Sequence, residues 1–197
     1  MAIQFQPILE GKCIQLRVLQ REDQNALKKI ALNDSIWTFN RPLTMPIEDY
    51  LTQYFDQMIQ GHLAKDPFAY VVVLKETQQL IGSTRYYYHS EQDRRLCIGF
   101  TWYVPDYWGT TVNPESKYLL LSQAFERLGM NRVEFHVDSR NRRSISAMLS
   151  LGATLECVMK QHKIVQDNYV RDTALFSILK ADWPGIRAKL LLRLQSL

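Results

Sequence analysis

LCIGFTWYVPDYWGTTVNPESKYLLLSQAFERLGMNRVEFHVDSRNRRSISAMLSLG, the run from Leu96 to Gly152, decides how this chain is read. Its opening, Leu96 to Val104, is rich in β-branched and aromatic residues and predicts a strand that Pro105-Asp106 ends. Asn113-Pro114-Glu115 then opens a helix. Asn is a preferred N-cap, and a proline at the first helical position gives up an N–H that has no partner there. Tyr118, Leu121, Phe125 and Leu128 follow at helical spacing, Leu120 and Ala124 widen the stripe, and Gly129 ends it. A strand that turns into a helix N-terminus aims free amides and about half a positive charge at one spot, which suits a phosphate. An ordinary capped helix would carry the same signals.

The segment downstream adds weight. Arg132 to Asp138 (RVEFHVD) alternates, with Val133, Phe135 and Val137 on one face. Ser139-Arg140-Asn141 is a second N-cap signal, followed by a short helix that turns Ile145, Met148 and Leu149 inward and stops at Gly152. Strand, phosphate-facing turn, helix, strand, Asn-led helix and a further strand is an order that resembles the core of the GNAT (Gcn5-related) N-acetyltransferases. It looks most like the branch holding the ribosomal-protein N-terminal acetyltransferases and their small-molecule relatives. The resemblance covers about Leu9 to Lys180, and TWYVPDYWGTTVNPESK and DSRNRRSISAMLSLGATLE are its most specific parts. It implies an α/β fold of layered α+β type: a mixed, mostly antiparallel central sheet, helices on both faces, and a splayed central strand pair.

Size and composition fit one domain spanning residues 1–197 with a core of its own. A net charge of +4 is compatible with an anionic cofactor and falls short of a nucleic-acid footprint, so no nucleic-acid partner is expected. The arginines around Asn141 are better explained as a patch beside cofactor phosphates or as a solvated turn. The start MAIQFQPILEG shows no signal peptide, and no apolar run approaches the roughly 20 residues of a membrane span. Cys13, Cys97 and Cys157 have no CxxC spacing and read as buried thiols of a reducing compartment, so a cytoplasmic location without a metal site is expected.

Elsewhere, Lys12 to Leu19 predicts a first strand, and Arg21-Glu22-Asp23 starts a helix with Ala26, Leu27, Ile30 and Ala31 inward. Asn33 to Pro46 reads as a loop whose Trp37, Phe39, Arg41-Pro42 and Met45 either pack back on the sheet or line an acceptor pocket. A helix over Ile47 to Ile59 precedes a hairpin of Phe68–Leu74 and Gln79–His89. Gly99 suits a bulge or a close backbone approach. Thr154–Ile164 and Tyr169–Leu179 form a second hairpin. The tail, residues 182–197, predicts a helix capped by Asp182, with Ile186, Leu190, Leu194 and Leu197 as a stripe that docks on the domain or on a second subunit of a homodimer.

The resemblance assigns roles. Acetyl-CoA would be the cosubstrate and a primary amine, on a small molecule or a protein N-terminus, the acceptor. The main chain of Trp102, Tyr103 and Val104 would pair with the pantetheine arm. The pyrophosphate loop would be Trp108, Gly109, Thr110, Thr111, Val112 and Asn113, with Thr111 and Asn113 standing where the family has glycines. Hydroxyls and the Asn amide could substitute as donors there. Lys117 is either a phosphate contact or a solvated surface lysine, and Asn141 lies where the pantetheine amides pass. For the proton, His136 occupies the family's base position and Glu134 is the reserve base. Met148 replaces the family's usual acid tyrosine, which leaves Ser144, on the pattern of the ribosomal-protein branch, to protonate the leaving thiolate. Altered loop and absent tyrosine keep a second function open: a GNAT-shaped acyl-CoA-binding module with weak catalysis.

Overall fold

A computed structural model describes residues 4–39, 44–63 and 68–195. Their eight strands form one sheet in the order β1-β2-β3-β4-β5-β6-β8-β7. The strands are β1 (Ile8–Glu10), β2 (Ile14–Val18), β3 (Phe68–Leu74), β4 (Leu80–Ser90), β5 (Arg95–Tyr103), β6 (Arg132–Asp138), β7 (Thr154–Ile164) and β8 (Val170–Leu179). Neighbours run antiparallel except β5 and β6, which are parallel. The helices are α1 (Asp23–Ile30), α2 (Ile47–Leu63), α3 (Val112–Ser122), α4 (Arg142–Leu151) and α5 (Trp183–Gln195).

Alternating side chains give the sheet two buried faces. On one, Leu16, Tyr70, Ile98, Val133, Phe135 and Phe176 meet α3, α4 and α5 through Leu120, Met148 and Ile186. On the other, Val71 and Trp102 meet α1 and α2 through Leu27, Leu51, Phe55 and Met58, with Trp37 between them. The mixed, mostly antiparallel sheet with helices on both faces is the expected fold class.

Several local expectations need correction. The first strand is preceded by β1, too short to show a period. Ala26 faces solvent, because Asp23 takes the inward place in the first turn of α1, held by Arg17 and the Gln20 amide. The loop after α1 contains a turn of 3₁₀ helix capped by Asn33. Trp37 packs back on the sheet and donates to the Ala31 carbonyl at 2.8 Å. Arg41-Pro42 and Leu197 lie outside the described residues.

α3 starts two residues early. Thr111 already has helical dihedrals, and the Asn113 side-chain oxygen instead accepts from the Tyr103 hydroxyl at 3.3 Å. Pro114 therefore stands at the third helical position, where an N–H would also lack a partner. α3 is buried nearly all round: α5 packs on it, Glu115 turns to the Cys13 amide before β2, and Lys117 to Thr101 of β5. A π-turn over Gln123–Arg127 extends it, and Gly129 leaves at φ +65°. In α4, Asn141 caps and Gly152 ends the helix as expected, but Leu149 points to solvent and Leu151 inward. Cys97 is buried, whereas Cys13 and Cys157 are exposed. The Asp182 carboxylate accepts from the Leu179 amide, and Trp183, stacked on Phe125, anchors α5.

The feature that positions the site is the end of β5. Its pairing with β6 stops at Cys97 and Glu134 although both strands continue, so they splay apart. On its other edge β5 shifts register against β4 around Thr84, with Phe100 at φ +50°. That bulge reverses the facing of everything beyond it, turning Trp102 toward α2 and Tyr103 toward α3. Gly99 is the close approach: a Cβ there would stand 2.8 Å from the Tyr87 ring.

Candidate active site

A cleft of about 750 Å³ opens where β5 and β6 part. At one end stands the first turn of α3. Trp108 donates to the Tyr103 carbonyl at 2.9 Å, and Arg143 of α4 lies 3.6 Å over the Trp108 ring. Gly109 follows at φ +75°, a conformation that favours glycine, which explains why this glycine is present while two others are replaced. The Thr110 hydroxyl donates to the Tyr107 carbonyl at 2.8 Å and accepts from Val112 at 3.4 Å, so it is spent locally. The donors left are the Thr111 hydroxyl, which makes no capping bond, the Asn113 side-chain amide and the Asn113 N–H, since Val112 and Glu115 donate locally and Pro114 has no N–H. Together with the helix dipole they can hold a phosphate.

The strand end contributes less than the sequence suggests. The Val104 N–H donates to the Ile81 carbonyl at 2.9 Å, so it faces β4 and not the splay. By the alternation of an antiparallel ladder, the main-chain groups of Trp102 also face β4, so the expected pantetheine pairing falls to Tyr103 alone: its N–H turns to the open edge, while its carbonyl is taken by Trp108.

Lys117 is neither on the surface nor at the phosphate turn. It is 4% exposed and donates to the Thr101 hydroxyl at 2.9 Å, which itself meets Thr84 at 2.8 Å. Burial lowers its pKa to about 7. This places an amine, neutral in a good part of the molecules at pH 7, under the bulge of β5.

The opposite wall is β6. Arg132 donates to Glu134 at 2.7 Å, and Glu134 in turn lies 3.4 Å from Nε2 of His136 and 3.7 Å from the Cys97 thiol. Burial works against the Glu134 carboxylate, yet the Arg132 guanidinium holds its pKa below the ordinary value. Burial pushes the His136 pKa below that of free histidine, with Glu134 opposing. The imidazole is thus neutral near pH 7, with Nε2 turned to Glu134 and Nδ1 buried without a partner among the described residues. Cys97, Glu134 and His136 each bring a potential ligand atom within 4.8 Å of the others. The Arg132 charge on Glu134 and a thiol whose pKa burial raises to about 12 both oppose a cation there.

On the floor, the Asn141 side-chain oxygen accepts from the Ser144 N–H at 3.0 Å. The cap uses the oxygen and leaves the NH₂ for a ligand. The Ser144 side chain lines the cleft, and among the described residues its hydroxyl has no partner. The two uses of Asn141 can be separated. Asn141→Ser should keep the cap and lose only affinity for a ligand crossing the cleft. Asn141→Ala should lose that affinity and also about 1 kcal/mol of stability. Chemical denaturation beside calorimetric titration checks both, and equal affinity in all three proteins would leave Asn141 a cap alone.

The structure therefore brings His136, Ser144, Asn141, Lys117, Trp108, Gly109, Thr110 and Asn113 around one cleft, sets Glu134 behind His136, and leaves Thr111, Val112 and Val104 outside the lining. It also adds residues that the sequence did not single out: Tyr54, Tyr87, Tyr88, Lys163 and Arg171. Nearby Arg85 is 4% exposed, lies 4.6 Å and 4.7 Å from the Tyr54 and Phe100 ring centres, and has two nitrogens without partners among the described residues. A lone arginine inside the strand pattern GSTRYYY was the signal that could have flagged it.

A parallel strand pair that splays over a helix N-terminus, within an otherwise antiparallel sheet, defines the class: the acetyltransferase fold of the Gcn5-related type. The structure of a T. thermophilus protein assigned as an acetyltransferase superposes with a TM-score of 0.85 at 29% identity, over 98% of this chain and 100% of that one. The ribosomal-protein-S5-alanine acetyltransferase of Vibrio fischeri gives 0.71 at 18% identity, over 89% and 98%, a likeness of fold alone. The chain belongs to the acetyltransferase (GNAT) domain family, which matches residues 14–154. It is also 24% identical over 174 residues to the uncharacterised N-acetyltransferase YoaA of Bacillus subtilis (strain 168), covering 88% of this chain and 97% of that protein. Among the described residues no helix is long and apolar enough to cross a membrane.

Proposed function

We propose that this chain transfers the acetyl group of acetyl-CoA directly to a primary amine, both substrates being bound in the one cleft. The observation that carries the reading is the splay itself: an open strand edge at Tyr103, leading from the first turn of α3 to the His136 wall. The diphosphate would take the Trp108–Asn113 turn, and the pantetheine arm would run along Trp102 and Tyr103 past the Asn141 amide. His136 would accept a proton, directly or through water, as the amine nitrogen attacks the thioester carbonyl, with Glu134 meeting the charge on the ring. As the tetrahedral intermediate collapses, the C–S bond breaks and the Ser144 hydroxyl supplies the proton for the departing thiolate. Water then relays the proton from His136 to the serine, which restores both residues, and the amide product and free CoA leave. The cytoplasm, where acetyl-CoA and free thiols coexist, is the location that fits this chemistry.

Acetyl-CoA should raise thermal stability by mass action, by about 2.7 kcal/mol at a hundredfold excess over Kd. A melting series followed by thiol release with an amine panel tests the two halves separately. No shift at millimolar acetyl-CoA would sink the binding mode. A shift without thiol release from any amine would leave an acyl-CoA-binding module.

A further inference from the structure

The acceptor end of the cleft holds two cations, Lys163, whose ammonium lies 5.8 Å from the Tyr88 ring centre, and Arg171. Lys163 of β7 and Arg171 of β8 are direct cross-strand partners, so both side chains leave the same face, and both line the cleft. Like charges directly opposite on a strand pair destabilise it. Among the described residues neither has a carboxylate within ion-pair distance. Asp138 acts on Arg171 through its charge but is already held at both oxygens by Arg140, at 3.0 and 2.8 Å. Asp172, the acid of β8 itself, is taken by Lys160 and the Gln161 amide. Glu134 is shared between Arg132 and His136.

Arg171 is partly buried. Its Nη2 reaches the His136 carbonyl at 3.5 Å, and its Nε is buried with no partner among the described residues. A partly desolvated guanidinium whose Nε lacks an acceptor costs free energy. One anion between Lys163 and Arg171 would remove that cost and the repulsion together.

Resting on the acetyl-transfer reading, we infer that the acceptor is a small amine that also carries a carboxylate, seated on Arg171 and Lys163 while its amine faces His136. A carboxylate suits the planar fork of Arg171, which can engage both oxygens. The cofactor's diphosphate is assigned to the far end of the cleft, at the first turn of α3, so it does not compete for this site. Arg85, buried behind Tyr54 and Phe100 with no acidic partner among the described residues, adds positive potential to the same end. Such a lining repels polycationic acceptors such as polyamines and selects amino-carboxylates.

The test is calorimetric titration of the full chain, saturated with CoA, with a matched pair of product-like probes: N-acetylglycine and N-acetylglycinamide. The acid should bind at least tenfold more tightly than the amide. Arg171→Gln, and independently Lys163→Gln on the edge strand, should each shrink that preference severalfold, with CoA affinity unchanged and the melting temperature equal or higher, since either change removes the repulsion between the pair. Equal binding of acid and amide, or no binding of the acid, overturns the inference and leaves acetyl transfer standing. A matching loss of CoA affinity in either variant also overturns it, by giving the cations to the cofactor. Absence of CoA binding in the unaltered chain sinks both readings.

Discussion

His136→Gln should lower kcat/KM by about 10²–10⁴-fold, the usual contribution of a positioned acid–base group. Gln keeps a polar side chain of similar reach beside Glu134 and Tyr87 but cannot take up a proton. The wild-type profile carries a sign of its own. Burial holds the folded pKa of His136 below the histidine reference of about 6.5, so the rate should fall only as the pH drops below that value. The same depression has a consequence for stability. Below about pH 6.5 the unfolded chain binds a proton on this residue more readily than the folded chain, so stability is present above that pH and lost as the pH falls. His136→Gln should remove the acid limb of kcat/KM and leave acetyl-CoA affinity unchanged. Near wild-type rates in the variant, with a profile set by the acceptor amine alone, would mean that positioning suffices and solvent carries the proton.

Gly82→Ala should be the most damaging small substitution in the sheet. Gly82 of β4 faces Tyr103 of β5, and a Cβ there would overlap the Trp102 carbonyl oxygen and lie 3.0 Å from the Tyr103 Cα. These are backbone atoms of a central strand and cannot rotate away. Overpacking of this kind costs about 3 kcal/mol, or about 6–12 °C in Tm for a chain of this length. Because the strand that must yield is the one proposed to carry the pantetheine arm, acetyl-CoA affinity should fall with stability. Gly109→Ala is the contrast. Its Cβ would meet nothing within 4 Å, so only the left-handed backbone at φ +75° resists, at about 1–2 kcal/mol. Thermal melts of the two variants, with and without acetyl-CoA, check the order. A Gly82→Ala protein as stable as Gly109→Ala would show that β5 can move.

Much of the site is legible in the sequence because its signals are local. Asn141 reads as a cap from its neighbours, and it is one, accepting from an amide three residues on. The family resemblance, not the local pattern, singles out His136, and the fold does put it on the cleft wall. Asn113 shows how the same logic fails. Its cap signal is sound, but the Tyr103 hydroxyl, ten residues away on β5, claims the side chain and the helix starts earlier. Lys117 fails for a similar reason: nothing in a helical lysine announces that it will be buried against β5 with Thr101 receiving its N–H.

The order of elements, the alternation of β6, the two helix ends at Gly129 and Gly152 and the turn glycine at 109 were determined by the sequence itself. Each depends on period, dihedral preference or hydrogen bonding within a few residues, which a linear pattern records. Where β5 leaves β6, the bulge that turns Trp102 and Tyr103 to opposite faces, and the meeting of Arg171 with His136 across 35 residues were decided only in the tertiary structure. Those features follow from strand register, and register is settled by the sum of side-chain packing across neighbouring strands, not by any one of them.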